Sequence, residues 1–154
     1  MFLLRITGAL DGARVAYALV GGFAVALHGA VRGTLDVDLV IRGREQDFLK
    51  AEAALNGLGL KSRLPVTASE VFRFRDEYIR NRSMTAWTFV NPSLPSEVAD
   101  ILLTEDLARM KVTKIKVPGG TVPVASIQDL IRMKQRSGRP QDLEDIKALR
   151  SLKK

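Results

Sequence analysis

The chain has no cysteine and a single histidine, His28, among its 154 residues. Disulfide bonds, thiolate metal sites and zinc sites built from several histidines are therefore excluded, so a metal would have to be held by carboxylate oxygens, which favour Mg²⁺ or Mn²⁺. Long apolar runs are also lacking, since the longest stretch of low charge, 15–31, is shorter than the roughly 20 residues of a membrane span. With no signal-peptide pattern in residues 1–10, we expect a cytoplasmic protein with no membrane partner.

What the chain has in excess is positive charge. It carries 24 Lys and Arg against 17 Asp and Glu, a formal net charge of +7, and its sequence pI is about 10.1. A basic surface attracts anions at long range, so a nucleoside triphosphate (NTP), an RNA or an acidic protein would each be consistent partners. The hydrophobic content of 46% and charged content of 27% are ordinary for a globular protein. We expect one domain over residues 1–154.

The stretch ALVGGFAVALHGAVRGTLDVDLVI, residues 18–41, combines apolar runs with two glycines and two acids. It predicts a buried strand over 16–20, a turn at Gly21 and Gly22, a helix from Phe23 to about His28, and a second strand over 35–41.

The second strand carries an Asp-x-Asp pattern. Strand side chains alternate between faces, which predicts one face with Asp36, Asp38 and Val40 and a core face with Leu35, Val37, Leu39 and Ile41. The two carboxylates would lie roughly 6.6 Å apart along the strand, close enough to hold one divalent ion jointly or to divide a metal pair. The alternative is the solvated face of an edge strand.

Helical and strand periodicities alternate along the rest of the chain, which indicates an α/β fold. Helices are predicted over 2–13, over 45–55, from Ser126 to Gly138 and from Pro140 onwards. Strands are predicted over 58–64, 71–74, 86–90, 111–117 and 121–124, and 97–103 is predicted to be a strand or a strand that enters a helix. The last helix is expected to bury Leu143, Ile146, Leu149 and Leu152.

Three segments together carry a resemblance: GGFAVALHG, RGTLDVDLVI and the C-terminal K-x4-RPQDLEDI. Thirteen residues separate Gly22 from Asp36. The combination resembles the nucleotidyltransferase (polymerase β-like) superfamily, and in particular small bacterial nucleotidyltransferase-like proteins related to abortive-infection and toxin–antitoxin systems. The resemblance implies a mixed β-sheet flanked by helices.

The activity implied by the resemblance is metal-dependent transfer of a nucleoside monophosphate from an NTP such as ATP to an acceptor hydroxyl, with Mg²⁺ or Mn²⁺ as cofactor. The acceptor would be an RNA or tRNA end, a protein side chain or a small molecule. The alternative is a non-catalytic module that binds nucleotide, RNA or a partner protein, such as a toxin–antitoxin component. A metal-dependent phosphohydrolase is less consistent with the Gly-Gly helix start.

The resemblance implies that Asp36 and Asp38 are catalytic metal ligands and calls for a third carboxylate on a neighbouring strand. Asp100 is our choice because it is the lone acid in the apolar segment 98–103, where an unpaired charge is costly to bury. A strand end or helix cap would explain Asp100 equally well. Glu97 and Asp76 are weaker candidates.

Nucleotide binding is assigned first to Gly21 and Gly22, whose missing side chains let phosphate approach a helix N-terminus. Arg32 and Thr34 are further candidates, and Arg32 would contact either a phosphate or the two acids.

A second cluster contains Lys134, Arg139, Asp142 and Asp145. It predicts either a partly exposed ion-paired clasp between the last two helices or a triphosphate contact by Lys134. For His28 we expect a structural contact near a helix end or with a loop carbonyl in preference to catalysis.

Overall fold

A computed structural model describes residues 1–30, 33 and 35–152. Within these ranges the chain forms six α-helices, seven strands and a short 3₁₀ turn at Leu107–Arg109. The helices are α1 (Phe2–Gly12), α2 (Gly21–Leu27), α3 (Glu45–Gly57), α4 (Ala68–Arg82), α5 (Ile127–Ser137) and α6 (Pro140–Leu152). The strands are β1 (Tyr17–Val20), β2 (Val37–Ile41), β3 (Lys61–Ser62), β4 (Ala86–Asn91), β5 (Leu94–Leu102), β6 (Val112–Val117) and β7 (Gly120–Ala125). None of the helices in these ranges has the length and apolarity needed to cross a bilayer.

The seven strands form one mixed sheet in the order β3-β4-β5-β2-β1-β7-β6. Strand β2 runs antiparallel to β1 and parallel to β5, and β1 runs parallel to β7. The remaining pairs are antiparallel. The predicted mixed sheet flanked by helices is therefore confirmed.

The two faces of the sheet are covered by different helices. Phe48 of α3 stacks on Trp87 of β4 with ring centroids 6.1 Å apart, and Phe72 of α4 meets Phe48 edge-on at 5.6 Å. Helices α3 and α4 therefore cover the face that bears Trp87. Because strand side chains alternate, Thr88 points to the opposite face, against which α2 and α5 pack.

Local sequence signals explain where several helices begin and end. The Ser126 hydroxyl accepts a hydrogen bond from the Asp129 backbone N–H at the start of α5, as predicted. Gly138 ends that helix in the left-handed conformation, with φ of 66°. Helix α4 begins with a capping box in which Thr67 and Glu70 each accept from the other's backbone N–H.

One of the predicted strands is wrong, and another is much shorter than predicted. Residues 71–74 lie inside α4, because the short apolar alternation there belongs to a helix whose capping box starts at Thr67. Over 58–64 the structure has the two-residue strand β3 and otherwise turns. Helix α2 begins at Gly21, two residues before the predicted start.

Two predicted side-chain environments are also wrong. Leu35 is 72% exposed because it precedes β2. Val40, on the same strand face as Asp38, is fully buried because helices cover both faces of this central strand. Leu143 of α6 is 58% exposed. The face that α6 turns inwards carries Asp142 and Asp145 beside the apolar residues Ile146 and Leu149.

Candidate active site

Two aspartates lie side by side at the centre of the sheet. Asp38 of β2 is directly in register with Asp100 of β5, and both are half-buried. Burial, together with the charges of Asp100 and Asp36, raises the pKa of Asp38 to about 7, while Lys134 opposes the rise. This carboxylate pair, Asp38 and Asp100, therefore carries negative charge that the surrounding protein does not fully compensate.

Thr88 of β4 extends the row on the far side of Asp100. It is in register with Asp100, and its hydroxyl Oγ1 donates a hydrogen bond to Asp100 Oδ1. Sequence reasoning missed this residue, although it is the polar position between the buried Trp87 and Phe89. This alternation of buried aromatic residues with a polar one is the sequence signal for Thr88, because it puts Thr88 on the face opposite the aromatic core.

Gly21 brings the start of α2 against the carboxylate pair. Its φ is 68°, a conformation that favours glycine, and a Cβ atom added there would lie 2.0 Å from Asp38 Oδ2. Any other residue would therefore displace the Asp38 side chain. Gly22 follows it as a buried residue of α2. The structure thus places Gly21 beside Asp38.

Asp36 lies just before β2, is exposed, and lines the same cleft as the carboxylate pair. Arg32 and Thr34 lie outside the described residues. Two neighbouring carboxylates with excess negative charge fit a divalent cation that prefers oxygen ligands. Within residues 1–30, 33 and 35–152, however, no three Asp, Glu or His side chains converge closely enough to form a complete metal site.

The carboxylate pair opens into a cleft of about 540 Å³ between the sheet and the last two helices. One wall carries the aspartates and Gly21. The other lining residues mix apolar and polar side chains: Thr85, Leu102, Thr104, Glu105, Leu130, Met133, Lys134, Arg136, Ser137, Arg139 and Asp142. A concave site with a few charged groups and apolar surface suits a small organic ligand.

Lys134, Arg139, Asp142 and Asp145, here called the Lys134 cluster, form an ion-paired network between α5 and α6, in which Arg139 is exposed and the other three are buried. Lys134 Nζ lies 2.8 Å from Asp145 Oδ2 and 3.6 Å from Asp142 Oδ1, and Arg139 Nε donates to Asp142 Oδ2 at 2.8 Å. Burial acts to raise the pKa of Asp142, but hydrogen bonds from Arg139 and Ser137 outweigh it and lower that pKa to about 2. Lys134 is 7% exposed, so the expected partly exposed clasp is in fact buried.

A second ion-paired group lines the cleft and was not predicted. Glu105 follows β5 and accepts hydrogen bonds from two arginines of α5, from Arg132 Nη2 at 2.9 Å and from Arg136 Nη1 at 3.2 Å. The two arginines are four positions apart on α5, which places them on one helix face. The group attaches α5 to the end of β5 and so holds one side of the cleft in place.

The other sequence candidates lie elsewhere. Glu97 pairs with Arg5 (Oε2 to Nη1, 2.7 Å) and accepts from Asn91, and Asp76 is exposed on α4. Neither is among the residues that line the cleft. The Nε2–H of His28 donates to the Ala125 carbonyl at 2.8 Å, a structural contact of the kind we expected. Asp100 is therefore the acid that lies beside Asp38.

Neither a protein-family model nor a curated protein matches the sequence. Solved structures do match. The antibiotic-resistance factor ANT(2'')-Ia is 14% identical with a TM-score of 0.67, over 96% of this chain and 80% of that one. The lincosamide antibiotic adenylyltransferase LnuA, solved with lincomycin bound, is 18% identical with a TM-score of 0.65, over 99% and 96%. This chain has the nucleotidyltransferase fold.

Two further matches agree with that result. An antigenic nucleotidyltransferase-like protein from Paracoccidioides brasiliensis is 19% identical with a TM-score of 0.58, over 96% of this chain and 74% of that one. ANT(2'')-Ia has also been solved in complex with adenylyl-2''-tobramycin, and that structure is 15% identical with a TM-score of 0.61, over 96% and 84%. At these identities the likeness establishes the fold, which confirms the resemblance at that level.

Proposed function

We propose that this protein transfers a nucleoside monophosphate from an NTP to an acceptor hydroxyl, with Asp36, Asp38 and Asp100 as the acidic residues of the site. One observation carries the proposal: the in-register carboxylate pair lies beside Gly21 at the edge of a cleft of about 540 Å³. A buried pair of like charges is costly, so its presence in a cleft indicates a cationic ligand.

The carboxylate pair and Asp36 would hold Mg²⁺ or Mn²⁺. The chemistry supplied by such an ion is neutralisation of phosphate charge and activation of the attacking hydroxyl. Asp38 and Asp100 contribute oxygen ligands from two adjacent strands, so the sheet fixes their separation. Asp36 lies outside the strand, lines the same cleft, and would contribute a further oxygen ligand from that side.

The remaining residues bind the nucleotide. Gly21 and Gly22 present backbone without side chains at the start of α2, where phosphate can approach closely. Arg32 and Thr34, adjacent in sequence to the acidic strand, are proposed phosphate contacts. Lys134 lines the cleft and contributes positive charge towards the triphosphate from within its ion pairs.

For the acceptor we propose a small molecule that carries a hydroxyl. Two neighbours support this class, since LnuA is solved with lincomycin and ANT(2'')-Ia with adenylyl-2''-tobramycin. The apolar side chains of Leu102, Leu130 and Met133 in the cleft give such a molecule a surface to pack on. An RNA or tRNA end and a protein side chain are the other acceptors to be tested.

The binding site is tested by calorimetry with Mn²⁺ and ATP. Replacing Asp36 and Asp38 together by asparagine removes two charges and keeps the size, so metal-dependent ATP binding should be lost. Asp76→Asn is the matched control, because it makes the same chemical change on the exposed surface of α4. Unchanged metal-dependent affinity in the folded double variant would refute the site.

Transfer is tested by incubating the protein with labelled NTPs and panels of hydroxylated small molecules, total tRNA and proteins. Label that appears on a small molecule supports the proposal, and label on tRNA or protein would replace the proposed acceptor class.

The alternative is a module that binds nucleotide without turnover, for example as a toxin–antitoxin component. It is favoured by one observation, the lack of three converging ligands in the described part of the chain. ATP binding without transfer to any acceptor in the panels would select it.

A further inference from the structure

Three polar side chains form a row across the centre of the sheet, and the first of them, Thr88, carries a hydroxyl. Thr88, Asp100 and Asp38 lie in register on β4, β5 and β2, and Thr88 Oγ1 donates to Asp100 Oδ1. We infer that Thr88 is a positioning residue that orients the Asp100 carboxylate for metal binding. This inference rests on the proposed function, because it takes Asp100 to be a metal ligand.

The position of Asp100 between two neighbours indicates what the Thr88 hydroxyl does. Asp100 lies between Thr88 on one side and the carboxylate of Asp38 on the other, and the like charges repel each other. A carboxylate that nothing else held would rotate away from its neighbour. The hydrogen bond from Thr88 engages Oδ1, and hydrogen bonds to an ionised acceptor are stronger than neutral ones. Oδ2 is then the Asp100 oxygen that this hydrogen bond leaves for a metal ion.

Threonine suits this task better than a flexible donor would. Its β-branched side chain has few χ1 rotamers, so the hydroxyl is already directed before a metal binds. The backbone of Thr88 is fixed on both sides, by pairing with β5 and by the hydrogen bond from Arg63 N to Thr88 O at 2.9 Å. Thr88 therefore lies, like Asp100, on a strand whose backbone is held by the sheet.

The competing explanation is a cross-strand hydrogen bond that stabilises the sheet without any part in ligand binding. The two explanations differ in what Thr88→Val should change. Groups that hydrogen-bond to metal ligands typically change metal affinity by about 10–100-fold when they are removed. A purely structural bond would lower stability and leave the metal affinity of the folded protein unchanged.

The experiment titrates Mn²⁺ alone, without nucleotide, into the wild-type protein and variants, and follows binding by calorimetry and by the electron paramagnetic resonance signal of free Mn²⁺. Thr88→Val should weaken Mn²⁺ binding by about tenfold or more, and Thr88→Ser should restore it to within about threefold. Thr113→Val, the same change on exposed β6, is the matched control and should leave the affinity unchanged. Thermal melts identify the fraction of each variant that is folded.

Several outcomes would overturn the inference. One is wild-type Mn²⁺ affinity in folded Thr88→Val, and another is an equal loss in Thr88→Val and Thr88→Ser, since the hydroxyl would then not be the cause. If Thr88→Val does not fold, Thr88→Ala removes the same hydroxyl and is judged by the same criterion. A wild-type protein that binds no Mn²⁺ would overturn the proposed metal site, and this inference with it.

A second readout follows if transfer is found. In Thr88→Val the kcat should fall by about tenfold or more, while the KM for the NTP stays within a few-fold, because the orientation of Asp100 matters most in the transition state. A fall in affinity for the NTP with unchanged kcat would contradict the positioning role.

Discussion

The carboxylate pair and the Lys134 cluster both place aspartates in the wall of one cleft, yet their charges behave in opposite ways. The pKa of Asp38 is raised to about 7 by burial and by neighbouring acids, whereas the pKa of Asp142 is lowered to about 2 because hydrogen bonds outweigh its burial. Asp142 is the more buried residue of the two. Burial acts to raise both pKa values, so the opposite outcomes come from the partners: further acids beside Asp38, and hydrogen-bond donors beside Asp142.

This contrast indicates that the two regions have different roles in the protein. In the Lys134 cluster the two cations are paired with two aspartates within the protein, so the cluster joins α5 to α6 before any ligand binds. At the carboxylate pair, the Thr88 hydroxyl donates a hydrogen bond to Asp100 and Lys134 contributes positive charge. The two carboxylates nevertheless keep net negative charge. Such a site is destabilising until a cation binds, which is typical of functional sites.

The largest expected effect is on catalysis, and it tests the carboxylate pair. Asp100→Asn should lower the transfer rate by about 1,000-fold or more, because a poorly held ion forfeits several kcal/mol of transition-state stabilisation. NTP affinity should stay within a few-fold, since Asp36 and Asp38 remain. Rate and affinity are measured on one preparation once an acceptor is known.

Asp76→Asn is again the control for that experiment. Transfer at the wild-type rate in Asp100→Asn would show that this acid takes no part in the mechanism.

The next effect concerns stability and tests the Lys134 cluster. Lys134→Met should lower the free energy of unfolding by about 3 kcal/mol, because it leaves buried carboxylates without their cation. Urea denaturation measures the change. The double variant Lys134→Met, Asp145→Asn should recover part of the loss, since it removes the stranded charge as well.

Lys134→Met also distinguishes structure from binding. If the folded variant retains the stability of the wild type but loses ATP affinity, Lys134 serves the nucleotide directly and the contrast between the two regions fails.

The effects expected for a change of one pH unit are the smallest, and the two regions should differ in their sign. The folded pKa of Asp38, about 7, lies above its ordinary value of 3.8, so the folded state binds more protons between these values. The metal-free protein should therefore lose stability as the pH rises from about 4 to 7, with a limiting slope of about 1.4 kcal/mol per pH unit for one proton. Asp38→Asn should remove most of this slope, and thermal melts across the range without metal check it.

Asp142 should act in the opposite sense. Its folded pKa of about 2 lies below 3.8, so its stabilisation is fully present above pH 4 and is lost as the pH falls towards 2. The loss should amount to about 1–2 kcal/mol once solvent screening of the exposed Arg139 is taken into account. Asp142→Asn should make the free energy of unfolding less sensitive to acid, and a wild-type acid slope in that variant would contradict the assignment.

Much of the fold could be predicted because its signals are local. Ser126 and Gly138 delimit α5, and Pro140 begins α6, each through contacts within a few residues. The failures are also instructive. Residues 71–74 have a strand-like alternation, but the capping box that starts at Thr67 commits them to α4. Four residues are too short a window to distinguish the two periods.

The sequence indicated which residues belong to the candidate site better than it indicated their contacts. The resemblance, with its spacing, pointed to Gly21 and Asp38, and the cost of an unpaired charge in an apolar segment selected Asp100 as the third acid that the resemblance calls for; the structure brings these three residues together. Thr88 was missed because a threonine in a strand is unremarkable until its neighbour across the sheet is known. Glu105 was missed because its two arginine partners lie on a helix that begins more than twenty residues later.

The sequence by itself determined the elements that depend on near neighbours: the apolar strands, the helix caps, the glycine at the start of α2 and the acids at strand positions. Only the tertiary structure decided that Asp38, Asp100 and Thr88 form one row and that Lys134 is buried against Asp145. The physical reason is that strand order and register are set by the packing of the whole sheet and its helices. Which charges meet, and so which pKa values rise or fall, depends on that packing.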